Sequence, residues 1–428
     1  MKLTYWLFVV SLACCFSERP FSAQDDSQTR IDWHQFRGPQ QNGTAPSQNP
    51  PMEWSEQKNV LWKSATHGRG WASPVVLDNE IWLSTATEDG KKMYAMCFAL
   101  DSGKKLHDVL IFENEAVQPD YHDTNSYASP TPVMDDQYVF VHYGAYGTAC
   151  LERATAKVVW QRRDLPCNHY RGAGSSPILF ENMMIVHLDG YDYQYVVALD
   201  RATGKTIWKR DRQVDYGTTN GDIFKSYCTP LVINVDGQTQ LISPTSKAVL
   251  AYDPRSGEEL WRAKYNEHST TARPLFDGQH LFVNTGFGKA QLLCIRTGGK
   301  GDVTGTNILW TQRKAIGSKP SQILAGGRLF SVTDDGLLSR IDTHTGEIAW
   351  QERLGGNYSA SLVATDSHLF AFDHEGKGYV YTLADQPQRV SRNSLDDGCR
   401  ASPAIVANSL LVRTSTHLYR LGQVSGAQ

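Results

Sequence analysis

One stretch constrains this chain more than any other: Ala198-Leu199-Asp200-Arg201-Ala202-Thr203-Gly204-Lys205-Thr206-Ile207-Trp208. It reads as the end of a strand, a tight polar turn and a second strand closing on a tryptophan. Asp200 suits an Asx-turn, Gly204 suits the φ > 0 position of such a turn, and Trp208 is a large apolar anchor. The chain then repeats it. Copies run from Leu151 to Trp160, from Tyr252 to Trp261 and from Ile341 to Trp350. A looser copy, Cys294 to Trp310, carries a glycine-rich insertion, and Leu100 to Lys104 begins another with His107 in the tryptophan's place. Trp160, Trp208, Trp261, Trp310 and Trp350 follow one another at intervals of 48, 53, 49 and 40 residues.

A second mark is offset from the first: Ser73-Pro74, Ser129-Pro130, Ser176-Pro177, Thr229-Pro230, Arg273-Pro274 and Ser402-Pro403, with Lys319-Pro320 and Ala360-Ser361 filling two gaps. Each precedes a short apolar run, and proline suits the first residue of a strand, where its missing N–H costs little. One unit therefore holds four strands: Ser176 to Leu179, Met183 to His187, Gln194 to Leu199 and Lys205 to Lys209. Four antiparallel strands at a period of about 40–55 residues predict propeller blades, and eight marks predict eight of them. After Ser402-Pro403 there is room for three strands, ending near Leu421. The missing fourth is Asn59 to Lys63, an outer-strand pattern with no blade before it. Pairing the two closes the ring and removes open sheet edges. The expected fold is an all-β, eight-bladed propeller over residues 59–423. A solenoid would need capping repeats that the sequence lacks.

Residues 24–58 form a polar arm that interrupts itself with Trp33-His34-Gln35-Phe36-Arg37-Gly38-Pro39, and Trp33 and Phe36 are expected to pin it to the body. Residues 1–23 have the pattern of a cleaved export signal: Lys2, an apolar run from Leu3 to Phe16, then small and polar residues. A cut after Ala23 is the preferred reading, with one after Ser17 as the alternative. Cys14-Cys15 lacks the context of a lipidation site. No later apolar run is long enough to span a membrane, and residues 424–428 are a tail. The net charge of −3 excludes a basic nucleic-acid footprint. Beyond the signal, Cys97, Cys150, Cys167, Cys228, Cys294 and Cys399 fit no zinc or haem spacing. Cys150 and Cys294 stand where other copies have Ala198 and Ala251, so they read as small core residues. A disulfide among Cys167, Cys228 and Cys399 stays open.

The Ala198–Trp208 stretch matches the tryptophan-docking motif of the PQQ-like (quinoprotein-like) β-propellers, and the chain resembles that family over roughly residues 60–421. The arm stretch Trp33 to Pro39 is similar to the segment preceding such propellers in exported planctomycete proteins. The resemblance implies that Trp160, Trp208, Trp261, Trp310 and Trp350 fasten neighbouring blades, with Asp200 shaping the turn and a backbone like that of Gly204 receiving the ring. The family includes PQQ- and calcium-dependent alcohol and sugar dehydrogenases. It also includes cofactor-free propellers, among them the scaffold lipoprotein of the outer-membrane protein-assembly machine. The dehydrogenases' adjacent cysteines over the quinone have no counterpart here outside the signal, so neither PQQ nor calcium is expected.

Function has to be sought in the loops that do not repeat. Those leading into the inner strands carry Arg69, Trp71, His122, Asn125, Tyr127 and His169. They also carry Arg171, Tyr227, His268, Arg273, Lys319, Tyr358 and Arg400. Loops between second and third strands add Asp189, Tyr191, His374 and Glu375, with Asp189-Gly190 read as a turn. Aromatic residues and arginines gathered on one face favour binding, and the loops Glu113–Ser126 and Asp211–Ser226 are unusually long. No nucleophile elbow, phosphate loop or metal-ligand cluster is evident. The expectation is a non-catalytic exported scaffold that binds a protein or other macromolecule. A quinoprotein dehydrogenase and a carbohydrate-binding propeller are the alternatives.

Overall fold

The structure, a computed structural model, describes residues 32–118 and 121–423 together with Met1. The signal expected over residues 1–23, the first residues of the arm and the tail 424–428 lie outside the described residues. Ile31–Gln428 forms one compact unit. It holds eight antiparallel sheets of four blade strands each, whose inner strands begin at Val75, Val133, Ile178, Leu231, Leu275, Ile323, Val363 and Ala404. These number blades 1 to 8. Among the described residues helix is confined to Thr304–Asn307 and two short turns at Gly144–Tyr146 and Gly221–Ile223.

Blade 3 typifies the ring, with strands Ile178–Phe180, Met183–Asp189, Gln194–Asp200 and Thr206–Asp211 in sequential order. Its two middle strands are almost wholly buried, because both of their faces pack on neighbouring blades. Closure follows the expected route. Val60–Ala65 pairs antiparallel with His417–Gly422 and supplies the outer strand of blade 8.

The tryptophan docking has a defined geometry. Gly204 has φ +70, and a Cβ built there would meet the Trp160 ring at 2.7 Å. Gly204 thus seats the tryptophan of the preceding blade, while Trp208 sits on Gly257, Trp310 on Gly346 and Trp62 on Gly103. Each indole N–H also donates to a backbone carbonyl of the turn it covers: Trp160 to Arg201, Trp208 to Pro254, Trp310 to Thr343 and Trp62 to Leu100, all at 2.8–3.0 Å. Asp200 shapes its turn by accepting from the Thr203 N–H at 2.9 Å and hydroxyl at 2.7 Å.

Two expected docking residues behave otherwise. Trp261 is fully buried and donates to Gln240 Oε1 within its own blade. The glycine-rich insertion after Cys294 explains this: it folds back, Gly301–Asp302 pairs in parallel with Trp261–Arg262, and Val303 joins Trp261 in one buried cluster. Trp350 is half-buried and meets the Tyr381 ring edge-on at 5.9 Å, with no glycine seat beneath it. Facing each tryptophan or its substitute across the ladder is a third-strand residue: Cys150 opposite Trp160, Ala198 opposite Trp208, Cys294 opposite Trp310 and Cys97 opposite His107. All six described cysteines are buried and free of disulfides, so the bridge left open among Cys167, Cys228 and Cys399 does not form.

The turn of blade 2 carries Ala156 at φ +57 where the turns of blades 1, 3, 4 and 6 have Gly103, Gly204, Gly257 and Gly346, and the outer strand of the blade before it carries His107. With no indole to receive, a methyl group is tolerated. Gly204→Ala is therefore expected to destabilise by about 1–2 kcal/mol, because its methyl clashes with Trp160 in a left-handed backbone. Ala156→Gly is expected to be neutral or stabilising by up to ~1 kcal/mol. Denaturant midpoints of the two variants check the opposite signs.

Candidate functional site

The residue that opens each inner strand builds the channel wall. The Thr131 hydroxyl accepts the N–H of Ser73, Ser176 that of Thr131 and Thr229 that of Ser176, at 2.9–3.0 Å. Ser321 likewise accepts from Arg273, Ser361 from Ser321 and Ser402 from Ser361, at 2.9–3.1 Å. Each bond joins adjacent blades and contributes about 0.5–1.5 kcal/mol. The wall residues of blades 2 and 6 are thus Thr131 and Ser321, each two positions after the sequence mark at Ser129 and Lys319. Two overlapping Ser/Thr-Pro pairs in Ser129-Pro130-Thr131-Pro132 hid the register of blade 2.

The belt breaks at blade 5, where Arg273 stands. This arginine was expected on the loop face; instead it is 1% exposed. Its guanidinium donates to the carbonyls of Pro230 and Phe36 and to Gln41 Oε1, at 3.1, 2.5 and 2.7 Å. It is an anchor for the arm. The arm pairs Asp32–Trp33 with Val76–Leu77 of blade 1 and sends the guanidinium of Arg37 to the carbonyls of Gln322 and Leu362 in blades 6 and 7. It then pairs with Ala364 and reaches Asn408 of blade 8. The contacts with Ala364 and Asn408 lie at the far ends of the inner strands, away from the loops, while the Arg37 guanidinium reaches up to the residues just before the inner strands of blades 6 and 7. Trp33 pins it as expected, buried against Gly38. Phe36 does more, since it reaches the channel from below. Burial, aggravated by their mutual repulsion in the case of Arg37, pushes the Arg37 and Arg273 guanidinium groups down to about 9.

Above the arm lies a cavity of about 440 Å³. Its wall includes the hydroxyl belt and eight residues expected on the loop face: Trp71, His122, Asn125, Arg171, Tyr227, His268, Lys319 and Arg400. The other five are elsewhere. Arg69 lies beside the wall, over the rings of Trp71 and Tyr121 at 5.3 and 5.4 Å. Tyr127 is buried among Tyr121 and Tyr146 and donates to the Gln118 carbonyl. His169 is buried beside the Cys167 sulfur at 3.7 Å. Tyr358 is fully buried beneath Gly336. Aromatic and long polar side chains in these loops fold inward because the loops themselves need cores. Asp189 is likewise no turn residue. It is fully buried and holds Arg212 through two bonds of 2.8 Å.

Sequence reasoning missed Lys225, Asp222, Phe287 and Ser359 on the wall. Length of the Asp211–Ser226 loop was the available signal for the first two. Ser359 Oγ lies 2.8 Å from His374 Nε2, which has the outline of a nucleophile and base. Burial, with Arg400 and Lys319 close by, pushes that imidazole down to about 4, which makes it a weak base at neutral pH.

Among the described residues no group of three or more His, Cys, Asp or Glu stands close enough together to hold a metal ion. The two wall carboxylates are engaged: Asp222 pairs with Lys225, and Asp334 accepts the N–H groups of Ser318 and Lys319 at 2.9 and 3.1 Å. This donor set does not fit the calcium-bound quinone of the dehydrogenases that share the fold. No described helix is long and apolar enough to cross a membrane.

A family model described as outer membrane protein assembly factor BamB matches residues 245–385, which span parts of blades 4 to 7. A curated relative, the outer membrane protein assembly factor BamB of Moranella endobia (strain PCIT), is 25% identical over 199 residues. That match covers 45% of this chain, and the chain spans about half, 48%, of the relative's length. BamB from Moraxella catarrhalis superposes with a TM-score of 0.59 at 13% identity, over 86% of this chain and 98% of that one. Quinohemoprotein alcohol dehydrogenase from Comamonas testosteroni superposes with a TM-score of 0.61 at 12% identity, over 93% of this chain and 81% of that one. At such identities the structural likeness is one of fold alone. The chain is an eight-bladed propeller of PQQ-like repeats, similar in sequence to outer-membrane assembly factors over part of its length and in fold to both them and quinoprotein dehydrogenases.

Proposed function

We propose that this chain is a non-catalytic, exported binding propeller whose loop face holds a protein partner around the central cavity. The observation that carries the reading is the cavity itself. It is closed below by the arm, open among the loops, and walled by Trp71, Tyr227, Arg171 and Arg400 without a fitting set of metal ligands or a strong base. Aromatic and arginine side chains are the residues that dominate protein interfaces. Phe287, 63% exposed at the cavity rim, extends that surface outward. The likeness to assembly factors supports a scaffold, and the polar arm and N-terminal signal pattern support export.

The test is site-specific photo-cross-linking in the producing cell. A photoreactive phenylalanine in place of Phe287 is expected to give a discrete protein adduct. The same group at Gly237, in an exposed turn on the far side of blade 4, is expected to give none. Equal adducts from both positions, or dye reduction by the purified protein supplied with PQQ, calcium and an alcohol, would overturn the reading.

A further inference from the structure

The cavity offers more positive charge and more hydrogen-bond donors than the chain itself satisfies. Four cations stand on its wall. Lys225 is paired with Asp222, and Lys319 lies 3.9 Å from Asp334. Arg171 and Arg400 have no carboxylate partner among the described residues. Arg171 lies over the Tyr170 ring at 4.3 Å and donates to its hydroxyl at 3.3 Å, while Arg400 lies over the Trp71 ring at 5.1 Å. Stacking of this kind fixes the plane of a guanidinium and leaves its edge free for a planar acceptor.

Three buried atoms of wall residues lack any hydrogen-bond partner: the indole nitrogen of Trp71, the hydroxyl of Tyr227 and Nε of Arg400. All three can donate, and two can do nothing else. The field is felt by the neighbouring groups. Burial, opposed by Asp222 but reinforced by Arg171, pushes the Lys225 ammonium below its ordinary value, and Arg400 and Lys319 help to depress His374. Arg171 and Lys225 come from the loops of blades 3 and 4, Lys319 and Arg400 from those of blades 6 and 8. The two pairs therefore face each other across the mouth. Exposed Phe287, Tyr191 and Tyr193 stand on the loops of blades 5 and 3.

We propose that the cavity receives the side-chain carboxylates of an acidic, extended segment of the protein partner, with Arg171 and Arg400 as its principal anchors. This rests on the binding reading above and names the chemistry it recognises. An acidic segment supplies acceptors to both cationic sides at once, and its backbone lies across the aromatic rim.

The experiment is calorimetric titration of the full chain with three synthetic peptides: end-capped hexaglutamate, end-capped hexaglutamine, and hexaglutamine with a free carboxyl terminus. Inorganic phosphate and PQQ serve as further probes. Capped hexaglutamate is expected to bind, with an affinity that falls as salt rises. R171Q and R400Q are each expected to weaken it at least tenfold, with R400K recovering part of the loss and thermal melts confirming folded variants. Capped hexaglutamine is expected not to bind. The proposal is overturned if hexaglutamate fails to bind or binds both variants unchanged. It is equally overturned if free-ended hexaglutamine, phosphate or PQQ binds more tightly than hexaglutamate. Loss of hexaglutamate binding alongside a persisting adduct at position 287 would remove this inference alone. Loss of the adduct with hexaglutamate still bound would remove the protein-partner reading instead.

Discussion

Replacing Trp208 with alanine is expected to lower stability by about 3–5 kcal/mol, the cost of a large aromatic truncation in a packed interior. The ring is 8% exposed, covers Gly257 of the next blade and donates to the Pro254 carbonyl at 3.0 Å. The variant therefore opens a cavity between two blades and strips a carbonyl of its partner. Trp350→Ala should cost markedly less, since that ring is half-exposed and has no glycine seat. Denaturant midpoints of the two variants measure the difference. A loss below about 1 kcal/mol at Trp208 would contradict the docking role.

The second large effect is expected at the ion pair between blades 3 and 4. Asp189→Asn leaves the Arg212 guanidinium, 1% exposed, without a counter-charge, and removing one partner of a buried pair costs about 3–5 kcal/mol. Burial pushes the Asp189 carboxyl upward against the pull of Arg212, so the pair persists by its geometry. Arg212 also donates to the Ser243 hydroxyl, which lies 2.9 Å from His187. Replacing both partners with apolar residues, Asp189→Leu with Arg212→Met, is expected to cost far less than the single change. If the double variant is the less stable of the two, the network is worth more than its charges.

These two expectations mark how far the sequence was legible. Trp208 and its counterparts were readable because a repeated turn imposes the same geometry at each copy, and the unpaired outer strand near Val60 announced the closure. The ring's departures from repetition were harder. Trp261 lost its turn to an insertion whose backward pairing depends on tertiary contact. Arg273 shares its place with seven hydroxyl residues, yet its long side chain turned away from the loops to bind the arm. Asp189 resembled a turn because its partner Arg212 comes from the end of the outer strand, at a distance that no local pattern records. Eight of the residues singled out in the loops leading into the inner strands do line the cavity, since any polar residue just before an inner strand is carried to the channel mouth. Which of them remained uncompensated in charge was visible only once Asp222 and Asp334 had been assigned to lysines.

The closing strand has a temporal consequence. Ala65 pairs with His417, and Met52 and Trp54 hold Asn393. The first-made strand must therefore wait for about 350 residues of chain before its partner exists. At chain-elongation rates of about 5–20 residues per second that wait is roughly 20–70 seconds. Throughout it the growing molecule is an unclosed arc with a sheet edge at either end, each able to pair with another copy. Both ends disappear in one event, when blade 8 is completed.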